Sequence, residues 1–266
     1  MIRREGDPMS DPLLVADGVA KTYPGGRIGC RDVGFTLYPG EVLGIVGESG
    51  SGKTTLLNCL SAKLEPSAGT IRFDTRTRGL TDIFSLSEPE RRLLMRTDWG
   101  IVHQNPRDGL RMNVSAGGNV GERLMAVGER HYGQIRAEAL DWLNRVEIAD
   151  DRIDDRPQAF SGGMQQRLQI ARILVSKPRL VFMDEPTGGL DVSVQARLLD
   201  LLRGLVRALG LAAVVVTHDL AVVRLLADRL MVMKDGAVVE SGLTDQVLDD
   251  PHDPYTQLLV SAVLQV

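Results

Sequence analysis

Residues Gly47 to Thr54 read GESGSGKT and stand between the apolar run Val42 to Val46 and a helix-like stretch. They fit the phosphate-binding loop pattern, in which a glycine and four free positions precede Gly-Lys-Thr. Glycines let the backbone turn with its N–H groups directed inward, where a side chain would keep a phosphate away. Lys53 adds a positive charge and Thr54 a hydroxyl for magnesium, at the positive end of the helix. The stretch therefore predicts a strand–loop–helix unit that binds a polyphosphate.

The composition is that of a globular protein with no general attraction to nucleic acid. Of the 266 residues 43% are hydrophobic, enough for a sizeable core, and the formal net charge is -4. The longest apolar runs, such as Leu211 to Val216, are far shorter than the roughly 20 residues of a membrane-spanning helix. Met1 to Ser10 is charged and lacks the apolar core of a signal peptide, so we expect a disordered leader and a cytoplasmic protein that does not enter the membrane.

Cysteine and histidine spacing suggests no metal site. Cys30 and Cys59 form no Cys-x-x-Cys pair and are expected to be ordinary small side chains. The four histidines are too dispersed for spacing alone to suggest a zinc site.

Short apolar, β-rich runs alternate with helical stretches through much of the chain. Near-continuous apolar strands between helices are typical of a parallel sheet that is buried on both faces. The runs are Val42 to Val46, Gly100 to His103, Leu180 to Met183, Ala213 to Thr217 and Arg229 to Met233.

Three other regions depart from this alternation. Strand-like runs near the N-terminus predict an antiparallel layer, and Asp235-Gly236 between apolar runs predicts a hairpin. The N-terminal runs are Leu13 to Tyr23, Asp32 to Tyr38 and Gly69 to Asp74. Between about residues 105 and 176 the apolar spacing becomes helical, and we expect an inserted helical subdomain with Trp142 in its core.

Two carboxylates end the buried run Leu180 to Glu185, LVFMDE. In open α/β sheets, ligands bind at the carboxyl ends of the strands. A magnesium ion that bridges nucleotide phosphates is an economical partner for Asp184, and Glu185 is suited to orient and deprotonate an attacking water.

A second anion-binding helix start is predicted at FSGGMQQR, Phe160 to Arg167. Ser161 is suited to cap the helix, and the two glycines leave backbone N–H groups accessible. Ser-Gly-Gly alone is weak evidence. It gains weight beside Gln104, the turn Gly188 to Asp191 and the strand end at His218.

Together these elements resemble the ATP-binding subunits of ABC systems over nearly the full chain. The resemblance implies one ATP-binding domain over residues 11–266, with a P-loop NTPase (RecA-like) core, a mostly parallel sheet, an N-terminal antiparallel layer and the helical insert. It implies that catalysis depends on Glu185, His218, Gln104 and Lys53, and that Thr54, Gln104 and Asp184 hold magnesium. It further implies ATP contacts from Tyr23, Gly47, Glu48, Ser49, Gly50, Ser51, Gly52, Lys53, Thr54, Thr55, Ser161, Gly162, Gly163 and Asp191.

In that family two subunits enclose two ATP molecules, each phosphate loop facing the other subunit's signature, so a homodimer with shared sites is implied. The usual signature reads Leu-Ser-Gly-Gly-Gln, whereas Phe160 and Met164 stand in its first and last places here. The glutamine's hydrogen bonds are therefore missing, while the serine and the glycine amides remain.

A closer resemblance is to the ATP-binding subunits of bacterial carbon-phosphorus lyase systems, which break down phosphonates. It is carried by Val102 to Ala126, by the segment around the signature and by the ending VLDDPHDPYTQLLVSAVLQ. The resemblance implies that residues 108–119 dock on soluble lyase core subunits. The ending alone is also similar to dipeptide and oligopeptide importer ATPases, so it does not separate the two.

Three alternatives stay open at this point. The first is the energising subunit of a peptide, nickel or phosphonate importer. The second is an ATP-binding scaffold with negligible hydrolysis, against which Glu185 and His218 argue. The third is a small-molecule kinase, which has no need of the signature helix.

Overall fold

The computed structural model describes residues 11–263, so the predicted leader Met1–Ser10 lies outside the described residues. In chain order the elements are β1 (Leu14–Thr22), β2 (Ile28–Leu37), β3 (Val42–Val46), α1 (Lys53–Leu60), β4 (Ala68–Thr75), β5 (Gly79–Asp82), α2 (Glu88–Thr97), β6 (Trp99–Val102), α3 (Pro106–Gly109), α4 (Ala116–Ala126), α5 (Tyr132–Arg145), α6 (Gly162–Leu174), β7 (Leu180–Asp184), α7 (Val192–Leu209), β8 (Ala212–Thr217), α8 (Leu220–Leu226), β9 (Arg229–Lys234), β10 (Ala237–Leu243), α9 (Thr244–Asp249) and α10 (Pro254–Val263).

The central sheet has six strands in the order β10-β9-β3-β8-β7-β6. All neighbours are parallel except β9 and β10, which form an antiparallel hairpin. Every residue of β3 and β8 is buried, as expected for strands covered on both faces. Asp235 and Gly236 turn the hairpin with positive φ angles of 49° and 80°, which is why an Asp-Gly pair suits this position.

A second, antiparallel sheet has the order β2-β1-β4-β5. Its strand β2 begins at Ile28, four residues before the predicted start, because Cys30 and Ile28 continue the pairing with β1. The α/β fold with a mostly parallel sheet and an N-terminal antiparallel layer is confirmed. Strand β5 and helix α2 were not predicted from the sequence.

One aromatic cluster joins the two sheets. Trp99 is buried and makes edge-on contacts with Phe73 of the antiparallel sheet, at 5.3 Å between ring centroids, and with Phe182 of the parallel sheet, at 5.4 Å. Such contacts add to the burial of the rings themselves and fix the angle at which the two sheets meet.

Helices α3 to α6 lie between β6 and β7, and their apolar core, in which Trp142 is fully buried, is continuous with one face of the central sheet and with α7. Asn119 of α4, also fully buried, holds the preceding loop with hydrogen bonds to Arg111, Val114 and Ser115. Within residues 11–263, none of the helices combines the length and the apolar character that crossing a bilayer requires.

Candidate functional site

Parallel strands end together at one edge of the central sheet, and the predicted site residues follow them. In register, Val46 of β3 lies beside Thr217 of β8, and Asp184 of β7 lies beside Val216. A cavity of about 740 Å³ opens at this edge. It is lined by Tyr23, Arg27, Ile28, Gly29, Gly47, Glu48, Ser49, Gly50, Gly52, Lys53, Thr54, Thr55, Gln104, Asp184, Glu185, His218 and Leu259.

The phosphate loop needs glycine because neighbouring backbone lies against it. Gly47 has φ 151°, and a Cβ there would lie 2.2 Å from the carbonyl oxygen of Met233. Gly52 has φ 103°, and its Cβ would lie 2.2 Å from the carbonyl oxygen of Gly29. A real side chain would clash at both positions. The loop is thus shaped by the start of β2 and by the β9–β10 hairpin, as well as by its own sequence.

Lys53 projects from the first turn of α1 into the loop. Its Nζ donates to the carbonyl oxygens of Gly47, at 2.6 Å, and of Glu48, at 2.8 Å. Burial lowers the pKa of Lys53, while the carboxylates of Glu185 and Asp184 oppose that shift. Burial also raises the pKa of Asp184, and the nearby Glu185 acts in the same direction. Cation and carboxylates therefore share one poorly solvated site.

Glu185 is held by three donors at the end of β7. Its Oε2 accepts from Thr217 Oγ1 at 2.8 Å, and its Oε1 accepts from the backbone N–H of His218 at 3.0 Å. The His218 Nδ1 lies 2.7 Å from the same Oε1. Glu185 has φ 45°, in the left-handed region that non-glycine residues rarely adopt. The strained backbone turns the side chain into the cavity, and a carboxylate oxygen keeps a free lone pair to accept a proton from water.

Tyr23 lines the same cavity. Its hydroxyl is 3.1 Å from Thr55 Oγ1, and the guanidinium of Arg27 lies 4.6 Å from its ring centre. Gly29 leaves room for this ring, because a Cβ there would lie 2.8 Å from it. Sequence reasoning missed Arg27 and Gly29. Their position next to the predicted aromatic was the only available signal.

Helix α6 anchors the segment that carries Gln104. The backbone of the adjacent His103 donates to Gln169 Oε1 at 2.7 Å, and its carbonyl accepts from Gln169 Nε2 at 3.1 Å. Gln166 Nε2 donates to the carbonyl of Pro186 at 2.9 Å, just after Glu185. Gln166 and Gln169 were not predicted as site residues. Buried glutamines on an apolar helix face were the signal that would have found them.

The signature residues lie outside the cavity. Ser161 caps α6 by accepting from the Met164 N–H at 3.3 Å, and Met164 packs against the helical core. The side chain of Val194 lies 2.6 Å from a Cβ built on Gly163, so the start of α6 is packed against the start of α7. At the start of α7, the Asp191 carboxylate accepts a hydrogen bond from the Val194 N–H. This bond and a second one from the Ser193 side chain lower the pKa of the Asp191 carboxyl. The structure thus brings Ser161, Gly162, Gly163 and Asp191 together, separate from the phosphate loop of the same chain.

Ser51 also lies outside the cavity lining, because its buried side chain is turned into the loop and its N–H donates to the carbonyl of Glu48.

The donor set suits magnesium. Mg²⁺ is usually held by one or two carboxylates together with phosphate oxygens and waters. Asp184, the Thr54 hydroxyl and the Gln104 amide line the same cavity and meet that pattern. Within residues 11–263 there is no cluster of three or more His, Cys, Asp or Glu side chains of the kind that holds a metal without help from a ligand.

Comparison with known proteins agrees with this geometry. A family model described as ABC transporter matches residues 30–188, more than half of the chain. The chain is 68% identical to the putative phosphonates utilization ATP-binding protein PhnK of Escherichia coli (strain K12), over 97% of this chain and 100% of that protein. It is 38% identical to a putative peptide import ATP-binding protein of Brucella abortus (strain 2308), over 95% of this chain and 77% of that protein.

Solved structures give the same result. CbiO1 from Clostridium perfringens, part of an ABC transporter complex, matches with a TM-score of 0.78 and 30% identity over 90% of this chain and 92% of its own. The dimeric ATP-binding cassette MJ0796 bound to ADP and Pi matches with a TM-score of 0.77 and 30% identity over 87% of this chain and 99% of its own. The predicted family and activity are confirmed: the chain is an ATP-binding subunit with ATPase activity and belongs to the ABC transporter family.

Proposed function

We propose that this chain is the ATPase subunit of a bacterial carbon-phosphorus lyase system and acts in phosphonate breakdown in the cytoplasm. The observation that carries the proposal is the 68% identity, over 97% of this chain and 100% of that protein, to a relative whose name assigns it to phosphonates utilization. Relatives named as peptide import ATP-binding proteins reach 37–38% identity, and the match covers 77–78% of their length.

In the proposed mechanism, several cavity residues have separate roles in ATP binding and hydrolysis. Tyr23 contacts the adenine, and the loop Gly47 to Thr54 with Thr55 binds the phosphates. Thr54, Gln104 and Asp184 would hold a magnesium ion, which would neutralise charge on the phosphates. Glu185 accepts the proton of the attacking water through its free lone pair.

His218 is assigned to the terminal phosphate. If its Nδ1–H donates to Glu185, only a ring that is also protonated at Nε2 donates to the phosphate as well. The contact with Glu185 also orients the imidazole ring.

A homodimer completes the site in this proposal. The start of α6, with Ser161, Gly162 and Gly163, would face the ATP held by the partner. Asp191 would lie in the loop that crosses the dimer interface. These residues form one surface beside α7 and leave the chain's own cavity without a signature helix. The dimeric structure of the MJ0796 cassette supports this arrangement.

The proposed docking surface for the lyase core lies in residues 108–119. Arg111 is exposed and paired with Glu122, and Arg107 and Asn113 are exposed beside it. Gly117 and Gly118 are unsuitable for testing this surface. A Cβ on Gly117 would lie 2.6 Å from Ile153, and one on Gly118 would lie 2.7 Å from Val114. Bulky residues there would disturb the helical core.

The test reverses the charge of the surface only. Arg107→Glu with Arg111→Glu should abolish capture of lyase core subunits by the tagged chain, since like charges at an interface cost several kcal/mol. Basal ATPase activity should stay near that of the unmodified chain. Arg207→Glu, at the exposed end of α7, is the control for a charge reversal elsewhere on the surface.

Growth separates the two candidate partners. Cells that carry the double variant should fail to grow on a phosphonate as sole phosphorus source while peptide uptake stays normal. Capture of membrane subunits, with phosphonate growth intact and peptide or metal uptake lost, would refute the proposal and favour the importer.

A further inference from the structure

The C-terminal helix α10 lies against the phosphate loop. Tyr255 is 207 residues away from Glu48 in sequence, yet its hydroxyl oxygen accepts the backbone N–H of Glu48 at 3.0 Å. The tyrosine is only 7% exposed, and Leu259, one turn further along α10, lines the nucleotide cavity. A C-terminal element therefore reaches the site that binds the phosphates.

Several contacts fix Tyr255 in this position. The carboxylate of Glu240 on β10 accepts the N–H groups of His252, at 2.8 Å, and Asp253, at 3.1 Å, and so holds the loop before α10. Asp253 in turn accepts the Tyr255 N–H at 2.8 Å. The ammonium of Lys234 lies 4.8 Å from the centre of the tyrosine ring, a favourable cation–π distance.

The backbone of Glu48 forms hydrogen bonds both within the phosphate loop and outside it. Its carbonyl accepts from the Ser51 N–H and from the Lys53 ammonium, and both of these donors belong to the loop itself. Among the hydrogen bonds of residues 11–263, only the one with Tyr255 joins the backbone of Glu48 to a residue outside the loop.

We propose that Tyr255 is a positioning residue for nucleotide binding, whose hydroxyl holds the phosphate loop in its binding conformation. A loop held in place before the nucleotide arrives loses less conformational freedom on binding, which strengthens binding. Removing the hydroxyl weakens ATP binding and leaves the chemistry at Glu185 unchanged once ATP is bound. The inference rests on the proposed nucleotide site.

The test is Tyr255→Phe, which keeps the ring and its packing and removes only the acceptor. Equilibrium titration with ATP and magnesium should give a Kd raised by about two- to tenfold, the range expected for one hydrogen bond. The KM for ATP should rise in parallel, and kcat at saturating ATP should stay within about twofold of the unmodified chain. Leu258→Ala, on the exposed face of the same helix, should change neither value.

Tyr255→Ala separates hydroxyl from packing. If the Phe variant binds ATP like the unmodified chain and only the Ala variant is impaired, the ring matters for packing alone and the inference is wrong. A lower kcat with unchanged Kd in the Phe variant would also overturn it. A different result would show that the proposed nucleotide site itself is wrong. In that case Lys53→Ala would retain full ATP binding, regardless of how the Tyr255 variants behave.

Discussion

Replacing Glu185 by glutamine tests the proposed general base most directly. The carboxylate accepts from Thr217 Oγ1 on one oxygen and from two groups of His218 on the other. In the glutamine variant the amide oxygen can face His218, and the amide nitrogen can donate to the Thr217 hydroxyl, which is able to accept as well as donate. The local structure should therefore survive.

The expected effects on stability and on rate differ in size. Exchanging these hydrogen bonds should change the free energy of unfolding by no more than about 1 kcal/mol. Loss of a positioned base typically costs 10²- to 10⁴-fold in rate, or about 2.7 to 5.4 kcal/mol in the activation barrier. The amide fits the same space but has no lone pair basic enough to take a proton from water.

The assay compares ATP turnover at saturating magnesium-ATP with ATP affinity measured by titration. We expect Glu185→Gln to bind ATP about as tightly as the unmodified chain and to lose at least 99% of steady-state turnover, the lower end of that range. Thr217→Val, which removes one donor to the carboxylate and keeps the base, is the matched control and should lose much less. Turnover of the glutamine variant near that of the unmodified chain would exclude Glu185 as the base.

Three further changes test other parts of the site. Asp184→Asn should make ATP affinity less dependent on magnesium, and an unchanged magnesium titration would contradict its role as a ligand. Inactive Lys53→Ala and Ser161→Arg chains should regain some ATPase activity when mixed, because one composite site in the heterodimer is intact; heterodimers without activity at any ratio would count against shared sites. Asn119→Ala should lower the thermal midpoint, since at least three partly buried backbone groups lose their partner at about 1 kcal/mol each; an unchanged midpoint would show that the loop finds other partners.

The features that could be predicted from the sequence are those set by short stretches of chain. The phosphate loop is readable because its glycines are required by backbone conformation and by close neighbours, as at Gly47 and Gly52. The strand that ends in Asp184 is readable because its four consecutive apolar residues, Leu180 to Met183, form a run of strand length with β-branched and aromatic members. Such features depend on short stretches of chain.

Long-range contacts were not predictable. The positive φ of Glu185 results from the turn that packs against β8, and Glu185 itself shows no glycine or asparagine signal of it. The bond from Glu48 to Tyr255 joins two ends of the chain through a surface that no periodicity describes. Helix α2, in contrast, was missed although its Ser87 and Glu90 form a capping box that is readable from sequence.

The charges around the cavity predict that a single chain binds ATP poorly without magnesium. Its lining carries the three carboxylates of Glu48, Asp184 and Glu185 against the two cations Lys53 and Arg27. A triphosphate brings further negative charge, which the loop N–H groups and the start of α1 offset only in part. In the proposed dimer the balance would come from magnesium at Asp184 and from the positive helix end at the partner's signature. Affinity for ATP should therefore depend steeply on magnesium in the single chain, and this dependence should weaken when a carboxylate is neutralised by Asp184→Asn.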